Sequence, residues 1–210
     1  REREREGMNG IPYVDKLVEE YLLFRGFTDT LTHLKSDIKN DKFAGFDPHR
    51  LAAAVLATAK KGDLHSFKSL WGTVVGLIPQ DDETLLLSSQ HVECALLRLM
   101  LVSCAKGGAA GQETIHEILR SLSSRGFQRD PSWSVWFSIV YTKNVNDVPE
   151  YKETASEPSR ARLELELGNF LSIVFSHRPL PRLLAAKTLE LENASLRAAL
   201  NRSAFNIYQL

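Results

Sequence analysis

From Leu189 to the last residue, seven positions repeat in a strict pattern: Leu189, Asn193, Leu196, Leu200, Ser203, Ile207 and Leu210 are spaced by 4, 3, 4, 3, 4 and 3 residues. Leu189, Leu196, Ser203 and Leu210 fall at the d positions of a heptad and Asn193, Leu200 and Ile207 at the a positions, the seam of a two-stranded coiled coil. An Asn at an a position costs stability, but it pairs with its mate across a parallel dimer and so fixes register and strand number. Such a seam commits the segment to helix and leaves a stripe that must be covered. A second copy can cover it, or the helix can fold back onto its own domain. The repeat is still running at Leu210, so the natural protein is expected to continue.

The same helical period governs most of the chain. Pro12 suits the first position of a helix, and Val14, Leu17, Val18, Tyr21 and Leu22 then share one face up to Gly26, a natural C′ residue. Thr28 is expected to cap a second short helix carrying Leu31, Leu34 and Ile38, so the pair forms a helical hairpin. Further helices are expected over Pro48 to Ala59, from a cap at Asp63 through Leu64, Phe67, Leu70, Trp71 and Val74, from Asp82 to Ala105, around Ile115, Ile118, Leu119 and Leu122, and from Ser159 to Ser176. Trp133, Trp136 and Phe137 mark a short aromatic element, and the polar stretch from Thr142 to Pro158 reads as a loop. Only Ser138 to Thr142 has any strand character. The expected fold is all-α, organised as a charged tail (1–10), a hairpin (11–41), a helical domain (42–178) and a coiled-coil helix (179–210).

Charge and chemistry narrow the function. The 26 Lys and Arg balance the 26 Asp and Glu, so no broad field recruits nucleic acid or an anionic membrane. No run of 18 apolar residues and no signal peptide is evident, and the expected location is cytoplasmic. Cys94 and Cys104 lie on one expected helix about 15 Å apart. That is too far for a disulfide, and they read as buried free thiols. The six histidines have no metal-ligand spacing. His91 with Cys94 offers two ligands at most, and Gly107 to Gly111 lacks the Lys and the preceding strand of a phosphate loop. No cofactor and no catalytic residue is expected.

Residues 17–37 resemble a LisH motif in the order Leu17, Tyr21-Leu22, Gly26-Phe27, Thr30, Leu31 and Leu34. LisH hairpins dimerise into four-helix bundles, so the resemblance implies a homodimer contact through Leu17, Tyr21, Leu22, Phe27, Leu31 and Leu34, beside the coil contact at Leu189, Asn193, Leu196, Leu200 and Ile207. Glu20 to Phe27, Asp41-Lys-x-x-Gly-Phe46, Trp133-x-x-Trp136-Phe137 and Asn169 to Ser172, taken together, resemble the N-terminal region of the WD repeat-containing protein 91 family. What this resemblance implies is a non-enzymatic scaffold peripheral to early and late endosomes, with only indirect membrane contact. Its implied partners are itself, a WD-repeat protein, a Rab-type GTPase and a phosphatidylinositol 3-kinase complex, which it restrains during early-to-late endosome conversion. The family's C-terminal WD40 propeller has no counterpart in these residues. A LisH scaffold of a ciliary or microtubule assembly, or of a ubiquitin ligase, is the alternative.

Overall fold

Glycines and aspartates set most of the helix ends in the computed structural model, which describes residues 2–41, 46–142, 144–176 and 181–207, with side chains from Gly10 to Asn201 within those spans. The fold is all-α: ten α-helices and several short 3-10 turns make up the described residues, and no strand occurs among them. The chain divides into two units, one of Arg1–Phe46 with Pro179–Leu210 and the other of Asp47–Arg178.

In the first unit, α1 (Glu2–Phe24) and α2 (Thr28–Asn40) form the expected hairpin. Gly26 turns between them in the left-handed region at φ 72°, where a Cβ would be strained. Two local details differ from expectation. The first helix begins at Glu2 and carries Pro12 inside it, because the Arg/Glu alternation of the tail supplies good helix formers with opposite charges at i, i+3. The second helix takes Thr28 as its first residue after Phe27, with no side-chain cap; the Thr32 hydroxyl donates to the Thr28 carbonyl instead. The unit is completed by a 3-10 turn at Arg182–Ala185 and α10 (Ala186–Ile207), both packed against α1.

The second unit holds α3 (Pro48–Lys61), α4 (Leu64–Val75), α5 (Glu83–Lys106), α6 (Gln112–Ser124), α7 (Ser134–Phe137), α8 (Pro149–Thr154) and α9 (Glu157–Ser176). Asp47, Asp63 and Asp82 cap α3, α4 and α5 by accepting from backbone N–H groups two or three residues on, which satisfies donors the helix leaves open. The bond to Ser66 holds the Asp63 carboxyl below its ordinary value. By length and composition α5 could cross a bilayer. Here it is the central core helix, burying Leu96, Met100 and Leu101 completely, with α3, α6 and α9 packed around it. Trp71 stacks on Phe67 and tilts onto Phe170, at ring separations of 6.2 and 5.8 Å. Cys94 is half-buried and Cys104 buried, both free, and burial pushes both thiols up.

The stretch expected to be a loop from Thr142 to Pro158 is largely ordered. It carries a 3-10 turn at Val145–Asp147 and then α8, because Tyr151 is fully buried and anchors it. The Tyr151 hydroxyl donates to the Val135 carbonyl and its ring meets Trp136 at 5.3 Å. The weak strand signal at Ser138 to Thr142 is likewise a 3-10 turn, Ser138–Tyr141, with only Ile139 buried. Replacing Tyr151 with Ala should lower unfolding stability by about 3–5 kcal/mol, in the range for an excised core aromatic. Tyr151→Phe should cost about 1 kcal/mol for the lost hydrogen bond. Urea denaturation followed by circular dichroism measures both, and an unchanged midpoint for Tyr151→Ala would show that the segment is not anchored.

Candidate association surface

The hairpin buries almost nothing of its own. None of the thirteen residues of α2 is buried, and on the described part of α1 Val14 is the one apolar side chain that is. Leu17, Leu22, Leu31 and Leu34 are only half-buried. Tyr21 and Phe27 are exposed, and beside them Leu23 and Phe24 stand out at 63% and 86% exposure. At the turn, Arg25 donates to the Tyr21 hydroxyl at 2.7 Å while its guanidinium lies 4.9 Å from the centre of the Phe27 ring. This cation–π contact fixes the two aromatics side by side. Sequence alone singles out Tyr21 and Phe27 and not Leu23 and Phe24; two further bulky residues just ahead of Arg25-Gly26 are the available signal.

Charge inside the hairpin is less settled than its shape. Burial, reinforced by Asp41 and Glu19 nearby, pushes the Asp15 carboxyl above its ordinary value, while Lys35 offsets Glu19 from α2 at 3.7 Å. A carboxyl raised in the folded state lends its stability below about pH 4 and loses it as pH rises through the folded value. At neutral pH the charged Asp15 therefore opposes the hairpin. Asp15→Asn should raise the thermal midpoint at pH 7 and make no difference near pH 3, and a lower midpoint at pH 7 would contradict this reading.

The seam of α10 is open in the same way. Leu189, Leu196 and Leu200 are exposed, the last two at 65% and 71%, and every residue from Leu191 to Leu200 is exposed. Asn193 is exposed too, its amide donating to the Leu189 carbonyl one turn back at 3.1 Å. The side chains of Ser203 and Ile207, and Leu210 altogether, lie outside the described residues. Of the expected association residues, the structure gathers Leu17, Tyr21, Leu22, Phe27, Leu31 and Leu34 on the hairpin and strings Leu189, Asn193, Leu196 and Leu200 along α10.

The second unit has a different feature, a cleft of about 370 Å³ bordered by α5, α8 and α9. Arg98 lies in it with its guanidinium 4.5 and 5.5 Å from the rings of Trp133 and Trp136, its Nε buried without a hydrogen-bond partner among the described residues. Arg162 and the carboxylates of Glu150, Glu153 and Glu166 share the lining, so the charges largely cancel and select neither anion nor cation. Among the described residues no three His, Cys, Asp or Glu side chains group as metal ligands.

No family model matches the chain, and no solved structure does. Relatives do: a protein of Xenopus tropicalis is 26% identical over 210 residues, covering 96% of this chain, and one of Danio rerio is 28% identical over 178 residues, covering 84%. Both are named WD repeat-containing protein 91. The chain resembles WD repeat-containing protein 91. A homolog of the same name from Dictyostelium discoideum, 25% identical over 208 residues and 84% of this chain, extends the likeness to a distant organism. The chain spans about a quarter of the length of these relatives, 28%, 24% and 27% respectively. The likeness to WD repeat-containing protein 91 therefore concerns one portion of a larger protein and takes in both units of this one.

Proposed function

We propose that this chain is a non-enzymatic self-association and scaffolding module, a LisH-type dimerisation hairpin with a second dimer contact along α10. The observation that carries the proposal is the second helix of the hairpin, which buries none of its side chains although Leu31, Leu34 and Ile38 repeat along it. A helix of 13 residues in water gains little from propensity alone and depends on an apolar face being covered. A second hairpin is the natural cover, since a two-fold pair presents the same patch to itself. The exposed seam of α10 carries the same requirement into the other half of the unit.

The likeness to WD repeat-containing protein 91 supports a reading of the setting. In this reading the module pairs two copies of an endosomal WD-repeat adaptor. The paired adaptor acts with a Rab-type GTPase, a partner WD-repeat protein and a phosphatidylinositol 3-kinase complex on early-to-late endosome conversion. The protein stays cytoplasmic and reaches membranes through partners.

Leu22 is the residue to test, because it is half-buried between the exposed Tyr21 and Leu23. Leu22→Asp puts an unpaired carboxylate there, at a cost of about 3 kcal/mol or more. Sedimentation equilibrium of the 210-residue chain should give twice the 23.6 kDa chain mass. Dimerisation of the variant should weaken at least about 100-fold. A wild-type chain that stays monomeric at tens of micromolar, with native helicity, would overturn the proposal.

A further inference from the structure

Among the described residues, the hairpin holds the helix that offers the open seam at its N-terminal end. Gly10 of α1 packs so closely on the turn before α10 that a Cβ there would lie 2.9 Å from the Leu184 carbonyl oxygen. One turn further along α1, the Tyr13 hydroxyl donates to the Glu190 carboxylate at 2.5 Å, and that bond is the leading cause of the raised phenol. These contacts clasp residues 184–190 to α1, whereas from Leu191 to Leu200 every side chain is exposed. From Leu191 to Ile207 the helix extends about 25 Å beyond the clasp. Little more than two heptads lie there, close to the length at which an isolated helix is marginal in water.

The order of the chain makes the clasp matter. The hairpin ends at Asn40 and α10 begins at Ala186, with the whole second unit between them in sequence. Without the clasp, hairpin pairing would bring two α10 helices together only at the ends of long tethers, where effective concentration falls steeply. With it, each α10 starts from a fixed point on its own α1. Two hairpins related by a two-fold axis then place their α10 helices symmetrically about it, and an axis running along α10 sets the two seams parallel and in register.

We propose that the Gly10–Leu184 and Tyr13–Glu190 contacts dock α10 on the hairpin so that a second copy of this chain meets hairpin and seam as one cooperative surface, with Asn193 facing Asn193. The inference rests on the self-association reading and adds the device that couples its two contacts. Gly10 is the position to change: Leu is a good helix former, so Gly10→Leu favours α1 while its side chain forces the Leu184 backbone away.

The test uses the full chain carrying Asn193→Cys, with the wild-type chain, which has only its own two cysteines, as background. Under mild oxidation the parent should form an interchain disulfide at position 193. Gly10→Leu should slow that cross-link at least tenfold with helicity retained, and Tyr13→Phe should slow it by a smaller factor. Weaker dimerisation accompanying the lost cross-link is the cooperative form of the same result. A dimeric parent that does not cross-link at 193, or a rate unmoved by Gly10→Leu, overturns the clasp and leaves the hairpin dimer standing. A monomeric parent overturns the self-association reading itself, so the two failures are told apart by the parent's mass.

Discussion

A helical hairpin has one apolar seam between its helices and one outward face, and short helices do not have enough side chains to close both. Here Leu17, Leu22, Leu31 and Leu34 remain partly in water, while Tyr21, Leu23, Phe24 and Phe27 are left outside. That shortage of cover sets this unit apart from the second one, where α5 is wrapped by α3, α6 and α9 and Leu96, Leu97, Leu99 and Leu101 are buried. The helical domain resolves its burial within one chain. The hairpin and the far part of α10 leave theirs open, and this contrast supports association as the work of the first unit.

Much of the second unit was legible because its punctuation is local. Asp63 caps α4 as expected, and Asp47 and Asp82, not singled out as caps in the sequence, close α3 and α5 in the same way. Gly62 ends α3 in the left-handed region, and the apolar stripe of Leu163, Leu167, Phe170, Leu171 and Val174 is the buried face of α9. The segment after Thr142 was misread because its order comes from tertiary anchors, Val145 and Tyr151. Polar residues dominate it, and nothing in its own spacing reveals that Tyr151 reaches Val135 and Trp136. Pro12 misled for a related reason: proline tolerates the first turn of a helix, but a charged run with strong helical propensity can carry the helix past it.

The association residues were legible as patterns and illegible as geometry. Heptad spacing identified Leu189, Asn193, Leu196 and Leu200, but could not show that α10 is fixed to α1 through Leu184 and Glu190. That contact joins residues 177 positions apart. Neither Gly10 nor Tyr13 carries a motif. Likewise nothing near Arg98 in sequence reveals that its guanidinium lies over the rings of Trp133 and Trp136, more than thirty residues on.

The account therefore turns on whether α2 is covered by a second copy. Amide hydrogen exchange of the full chain, followed by mass spectrometry across a concentration series, reads this directly. If a second hairpin covers it, exchange over Thr28–Asn40 should slow as protein concentration rises, while exchange in α5 stays constant because its core closes within one chain. Exchange over Thr28–Asn40 that is fast and independent of concentration up to hundreds of micromolar would contradict the account.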